Sequence, residues 1–265
     1  MKSVELKGRK SNIIIGEKSP IVVNCNVGVN DIHKLSYEKD KIDMLFSRKE
    51  TSPDTMMDLS IYDKQGQLAQ YILQNYDVPL GVVPVYAIGH SQLNKSVLLE
   101  QIEKYAEMGI AFMTMHFTAD SDIFEIAIKE RKIPVTSRGG SITLKAAYEH
   151  NKKNLFRECL DEIILLAKKY NFVISLGTTF RPAGIIDACD NAHIMETQRQ
   201  IDLSCYLQKQ GISVIIENVG HISIDNIVKH SVLLKKCNAP IMPLGPSVID
   251  SAIGYDHIAA SIGAS

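Results

Sequence analysis

The sequence lacks the simple markers of export, membrane insertion and polyanion binding. No apolar run approaches the ~20 residues that a membrane helix requires. The first residues, Met1-Lys2-Ser3-Val4-Glu5-Leu6-Lys7, hold no apolar segment of the kind a signal peptide needs. Charge of one sign is also missing: Lys+Arg is 29 against Asp+Glu 30. No basic field is available to attract nucleic acid, which is excluded as an expected partner, and so is a membrane. Cysteine is sparse, an odd set of five (Cys25, Cys159, Cys189, Cys205, Cys237) with no CxxC spacing. That pattern fits reduced thiols in a cytoplasmic protein better than a disulfide frame or a metal knuckle. No glycine-rich fingerprint follows the first strand-like run, which weighs against an open dinucleotide-binding sheet. No linker, low-complexity tract or repeat beyond the βα unit divides the chain.

What is present is an ordinary globular composition, 45% apolar and 22% charged over 265 residues. Short β-branched runs alternate with longer helical stretches. The strand-like runs are 21–26, 55–60, 80–85, 111–116, 133–137, 172–177, 214–218 and 241–245. Helical patterns cover 34–48, 65–75, 94–108, 122–131, 144–170, 195–210, 224–236 and 255–262. Each strand is followed by a helix, which predicts an α/β chain folded as a (β/α)₈ TIM-type barrel over residues 21–265. Val4–Leu6 and Asn12–Ile15 flank a polar turn and predict a hairpin lid within residues 1–20.

Chemistry in such a barrel sits at the C-terminal ends of the strands. Those ends carry Asn24 and Asn26, Asp58, Tyr86, His116, Ser137-Arg138-Gly139-Gly140-Ser141, Arg181, Glu217-Asn218 with His221, and Ser247. The two glycines, with a helix beginning just beyond, can offer backbone amides to an anion that Arg138 and Arg181 would pair. The plain alternative is a tight turn with a surface arginine. His116 reads either as an acid or base touching a ligand or as a structural histidine. Glu217 follows Val214-Ile215-Ile216, so it is either a buried carboxyl of raised pKa or a solvated rim carboxylate. His221 is a metal ligand only if partners such as Glu217, Asp58, His116 or His257 converge on it; otherwise it is a hydrogen-bonded loop residue. Cys25 reads as a small packing residue, the Met56-Met57 pair as core packing, and His33, His90, His150, His193 and His230 as incidental residues of loops or polar helix faces.

Taken in order, Val23-Asn24-Cys25-Asn26-Val27-Gly28, Asp54-Thr55-Met56-Met57-Asp58-Leu59-Ser60, Val83-Pro84-Val85-Tyr86, Thr114-Met115-His116 and Ser137-Arg138-Gly139-Gly140-Ser141-Ile142 form one series. It continues through Ser175-Leu176-Gly177, Arg181-Pro182, Ile216-Glu217-Asn218-Val219-Gly220-His221, Leu244-Gly245-Pro246 and Gly254-Tyr255-Asp256-His257-Ile258. The series, from about residue 12 onward, resembles the barrel domain of the phosphomethylpyrimidine synthase (ThiC-type) family, whose superfamily includes the hydroxybenzimidazole synthases.

The resemblance implies a phosphorylated ligand of the aminoimidazole ribotide type and a place in thiamine pyrimidine or benzimidazole synthesis. It implies substrate contacts at Asn24 or Asn26, Met57, Tyr86, His116, Ser137, Arg138, Gly139, Arg181 and Glu217; a non-radical reaction would use Glu217 and His116 as catalytic acid and base. It further implies a zinc ligand at His221 and a homodimer. The family rearranges its ribotide by radical chemistry with S-adenosylmethionine and a [4Fe–4S] cluster, held by a C-x₂-C-x₄-C triplet in a C-terminal region. No such triplet occurs here, so this chain is expected to hold no iron–sulfur cluster alone and to need a cluster-bearing partner, to run a non-radical reaction, or to act as a catalytically silent binding or regulatory protein. The barrel departs from the family too. Thr178-Thr179-Phe180-Arg181 stands where the family reads Asp-Gly-Leu-Arg, Asn218-Val219-Gly220-His221 where it reads Gly-Pro-Gly-His, and Met242 where it has a substrate-contacting Tyr. These changes suggest a shortened relative of changed specificity rather than a simple fragment.

Overall fold

A computed structural model describes residues 3–61, 63–149, 153–218 and 220–243, together with Gly254, Tyr255 and Ile258. The amino-terminal hairpin pairs β1 (Val4–Lys7) with β2 (Asn12–Ile15) antiparallel, Val4 opposite Ile15. Val4 and Leu6 alternate with exposed neighbours and enter the core, as a half-buried strand requires. The backbone amide of Lys10 donates to Asp77 Oδ1 at 2.6 Å. Asp77 lies just before β5, so the hairpin docks at the N-terminal end of the barrel strands, opposite the mouth.

The main sheet is parallel and seven-stranded: β3 (Asn24–Val27), β4 (Thr55–Asp58), β5 (Leu80–Val82), β6 (Phe112–Met115), β7 (Val173–Leu176), β8 (Val214–Asn218) and β9 (Ile241–Pro243), paired in that order. Helices cover it, among them α1 (Leu35–Phe46), α2 (Gln67–Asn75), α3 (Pro84–Ile88), α4 (Lys95–Glu107) and α5 (Ser121–Glu130) before β7. The strands other than the edges are fully buried, as parallel strands covered on one side and lining a lumen on the other must be. Residues of both edge strands, Asn24 and Met242 among them, line one cavity, so the sheet curls as a TIM-type barrel does.

Three expected elements change. The run 133–137 forms no strand, and β6 pairs directly with β7, Phe112 opposite Val173. Pro134 has no amide to give a ladder on both sides, and Ile133 lies 53% exposed. The expected long helix over 144–170 is instead α6 (Arg138–Glu149), α7 (Leu155–Glu158) and α8 (Leu160–Tyr170). Asn154 starts the second of these by accepting the Phe156 amide at 3.0 Å, a local bond that competes with helix continuation. The first barrel strand begins at Asn24, three residues later than its apolar run, because Ile21 and Val23 are exposed. The expected helix over 255–262 and the end of the strand at 244–245 lie outside the described residues. Among the described residues no helix is long and apolar enough to cross a membrane.

Candidate active site

The barrel lumen holds a cavity of about 800 Å³ that runs from the hairpin to the C-terminal strand ends. Alternation sets its lining. On β4, Thr55 and Met57 face inward, so Met56 and Asp58 face the helices. The same periodicity sends Asn24 and Asn26, Thr114 and Glu217 inward. His116, Ser137, Tyr86, Arg181, His221 and Met242 complete the mouth. A purely structural lumen would be filled by branched aliphatic side chains; this one carries hydroxyls, amides and a carboxyl.

Glu217 is buried on β8 and accepts from Thr114 Oγ1 at 2.5 Å and from Ser175 Oγ at 3.4 Å. Burial raises its pKa above the ordinary carboxyl value; the hydroxyls and Arg181 pull the other way. His116 is buried at the end of β6, with Nε2 3.0 Å from Ser137 Oγ. Burial, then the Arg181 charge, lowers its pKa to about 3. It is a neutral imidazole, suited to hydrogen bonding rather than to collecting a proton at neutral pH.

Two arginines act on one tyrosine at the mouth. Arg138 Cζ lies 5.4 Å from the centre of the Tyr86 ring. The Tyr86 hydroxyl feels both Arg138 and Arg181, although burial is the larger influence and raises its pKa. Arg181 also acts on Glu217 and His116. Positive charge and a raised-pKa carboxyl thus share one mouth.

The Gly-Gly segment is built differently from a bare anion cradle. Gly139 and Gly140 lie buried in the first turn of α6. The Gly140 amide donates to Ser137 Oγ at 3.1 Å. Their lack of a side chain serves helix packing: a Cβ at Gly139 would stand 2.2 Å from His116 Cε1, and one at Gly140 2.5 Å from Thr179 Cγ2. Arg138 is exposed beside the mouth, and neither it nor Gly139 lines the cavity. Asp58 does not join the mouth. It is buried on the helix-facing side of β4, where it accepts the Ser60 amide at 2.9 Å. Glu217, His116 and His221 do share the cavity, while His257 lies outside the described residues.

Sequence reasoning missed the polar side of α9 (Asn191–Lys209). Its buried face carries His193, Glu196, Thr197, Gln200 and Ser204, at helical spacing. Glu196 is fully buried and accepts from the Thr179 and Phe180 amides, each at 2.7 Å, and from Thr118 Oγ1 at 2.6 Å. It fixes the loop that carries Arg181. Arg131 holds the other side of that loop, pairing with Asp190 through Nε at 2.6 Å and donating to the Phe180 carbonyl at 2.8 Å. Thr178 donates to the Glu217 carbonyl and accepts from Gln200 Nε2 at 3.1 Å, so this hydroxyl braces β7 against β8. His193 and His230 are not incidental. Both are buried, and His230 comes from α10 (Ile224–Leu234). The available signal was a run of polar residues every three or four positions on a helix that must cover a sheet.

A TIM-type barrel with a polar, arginine-bearing cavity at its strand ends is the class that the fold and the site define. Its overall shape is shared with the dihydropteroate synthase of Xanthomonas albilineans, a likeness of fold alone at 11% identity, TM-score 0.53, covering 98% of this chain and 85% of that one. By sequence the chain belongs to the radical SAM ThiC family, whose profile matches residues 2–265. Its relatives include the phosphomethylpyrimidine synthases of Carboxydothermus hydrogenoformans (34% identical, 94% of this chain and 60% of the relative) and Desulfotalea psychrophila (36% identical, 95% and 60%). That of Ignicoccus hospitalis is 32% identical over 99% of this chain and 62% of its own. The chain therefore spans about three-fifths of the length of the curated relatives it matches.

The family's cofactors can be tested against the donor atoms present. A cluster with one open iron needs three thiolates together. The only three-membered metal-ligating group among the described residues is Cys189, His193 and His230, which has one thiol. These residues do not fit an iron–sulfur cluster. Around His221 the described residues assemble no such group, so they do not complete a zinc site there either.

Proposed function

We propose that this chain binds an aminoimidazole ribotide-type nucleotide in the barrel mouth, in keeping with a role related to thiamine pyrimidine synthesis. The observation that carries the reading is Arg181 in the wall of a cavity that also holds Tyr86, buried Glu217 and His116, with Arg138 over the Tyr86 ring. Arg181 pairs with the phosphate inside the cavity and Arg138 closes on it from the start of α6, whose dipole adds to the attraction. Met57 and Tyr86 flank the heterocycle. Asn24, Asn26 and Glu217 bond its ring and exocyclic nitrogens, and neutral His116 with Ser137 holds a ribose or phosphate oxygen. Glu217, with its raised pKa, gives or takes the proton at the imidazole.

A radical step would require a cluster from outside these residues, supplied by a cluster-bearing partner chain. The donor set favours a second reading, a binding or regulatory protein that keeps the ligand without the family's chemistry. Zinc at His221 belongs to the first reading and needs ligands from beyond the described residues.

Calorimetric titration with aminoimidazole ribotide and with its unphosphorylated riboside tests the binding claim. The ribotide is expected to bind at least ~10-fold tighter, and Arg181→Ala to remove that preference. Equal affinity for the two compounds, or no binding of either, would overturn it. Turnover that needs an added cluster-bearing partner separates the enzyme from the silent binder.

A further inference from the structure

A second cluster of ligating side chains lies behind the mouth, on the helix side of β8. Cys189, His193 and His230 each bring one ligand atom to within 4.8 Å of the others. Cys189 and His193 are four residues apart across the start of α9, and His230 arrives from α10. We propose that Cys189, His193 and His230 form a binding site for a borderline-soft divalent metal such as Zn²⁺, distinct from His221 and from the ligand cavity.

Asn218 carries the argument for ligand geometry. Its Nδ2 donates to Gln200 Oε1 at 3.0 Å and to Thr197 Oγ1 at 3.2 Å. Gln200 Nε2 is itself spent on the Leu176 and Glu217 carbonyls, at 3.1 and 3.0 Å. The amide orientation is thereby set, and Asn218 Oδ1 faces the two histidines. His230 Nε2 lies 2.6 Å from it and His193 Nε2 3.5 Å. Both rings turn an Nε2–H to one carbonyl oxygen, which leaves each Nδ1 with its lone pair. An outer-shell carbonyl fixing the tautomer of a ligating histidine is the usual arrangement around a bound metal.

The sulfur is held as deliberately. Cys189 has φ +61°, a left-handed conformation that is strained for a residue with a β-carbon. It precedes Asp190, whose Oδ1 caps α9 through the His193 amide at 2.8 Å while Arg131 grips the same carboxylate. The turn is therefore rigid, and Cys189 is only half buried, open to an incoming ion. Tetrahedral Zn–S and Zn–N bonds put ligand atoms roughly 3.3–3.7 Å apart. Closing from 4.8 Å asks about 1 Å of movement from these side chains. His193 Nδ1 now accepts the Cys189 amide at 3.2 Å, and the metal would take its place. The fourth position is left for water. The two imidazoles lie side by side with centroids 4.5 Å apart and planes tilted by 33°.

The test is a Co²⁺ titration of the reduced, chelator-stripped 265-residue chain. One equivalent is expected to bind with a thiolate-to-cobalt charge-transfer band and tetrahedral visible bands, and Zn²⁺ to displace it. Cys189→Ser should abolish the charge-transfer band, and His193→Gln or His230→Gln should weaken binding ~10-fold or more. His221→Ala should leave the band intact. Absence of the band in the unmodified chain, its survival in Cys189→Ser, or its loss in His221→Ala would overturn the site. Should a variant fail to fold, the unmodified chain still decides. Zn²⁺ should protect Cys189, but not the equally half-buried Cys25 and Cys205, from alkylation read by mass spectrometry; equal labelling of Cys189 with and without Zn²⁺ contradicts the proposal.

Discussion

At the scale of single residues, the site works through burial set against a few compensating donors. Glu196 illustrates it. Its carboxyl supports the Arg181 loop through two amides and a hydroxyl, yet burial still raises its pKa to about 7. The folded state then holds a proton that the unfolded chain has lost above about 4.5. Stability from this group is present in full below pH 4.5 and is lost as pH rises to about 7. Asp58 and Glu217 titrate in the same direction, and buried His116 in the opposite one. The contribution of Glu196 is therefore read as a difference. Urea unfolding of Glu196→Gln against the unmodified chain should move by about 3 kcal/mol in favour of the variant between pH 4.5 and 7.5, then level off. A pH-independent difference would show that Glu196 is ionised throughout.

At the scale of elements, the junction of α6 with the ends of β6 and β7 is the tightest part of the mouth. Gly140→Ala would press a methyl 2.5 Å from Thr179 Cγ2 and 2.9 Å from its backbone Cα, which cannot swing away. We expect a loss of about 2 kcal/mol, read as a Tm lowered by roughly 4–8 °C. An unchanged Tm would mean that the junction yields. The same junction shows what the sequence made legible. All seven described barrel strands were readable as short apolar runs, and β3, β4, β6 and β8 carry Asn26, Asp58, His116 and Asn218 at their ends, because parallel buried strands are apolar and their tips meet solvent or ligand. The run 133–137 misled because its composition is strand-like while Pro134 and its place directly before α6 set its conformation. The glycine pair pointed to the right place, but the Gly140 amide is engaged by Ser137 and both glycines serve close packing against His116 and Thr179, a tertiary arrangement no spacing could disclose. The polar face of α9 escaped notice for a related reason: its partners, Thr118, Thr179, Asn218 and His230, come from four other segments.

At the scale of the whole molecule, the hairpin docks at one end of a curled sheet and the polar mouth opens at the other, with the lumen cavity between them. The family's barrel is thus kept as a rigid scaffold around a polar site, and the chain covers about three-fifths of its relatives. Whatever chemistry follows, the account requires a nucleotide to enter that mouth with its phosphate on the arginines. A crystal of the chain soaked with aminoimidazole ribotide measures this most directly. The account predicts phosphate oxygens within about 3 Å of the Arg181 guanidinium and the imidazole ring between Met57 and Tyr86, facing Glu217. A nucleotide seated elsewhere, or a mouth left empty at saturating ribotide, would contradict it.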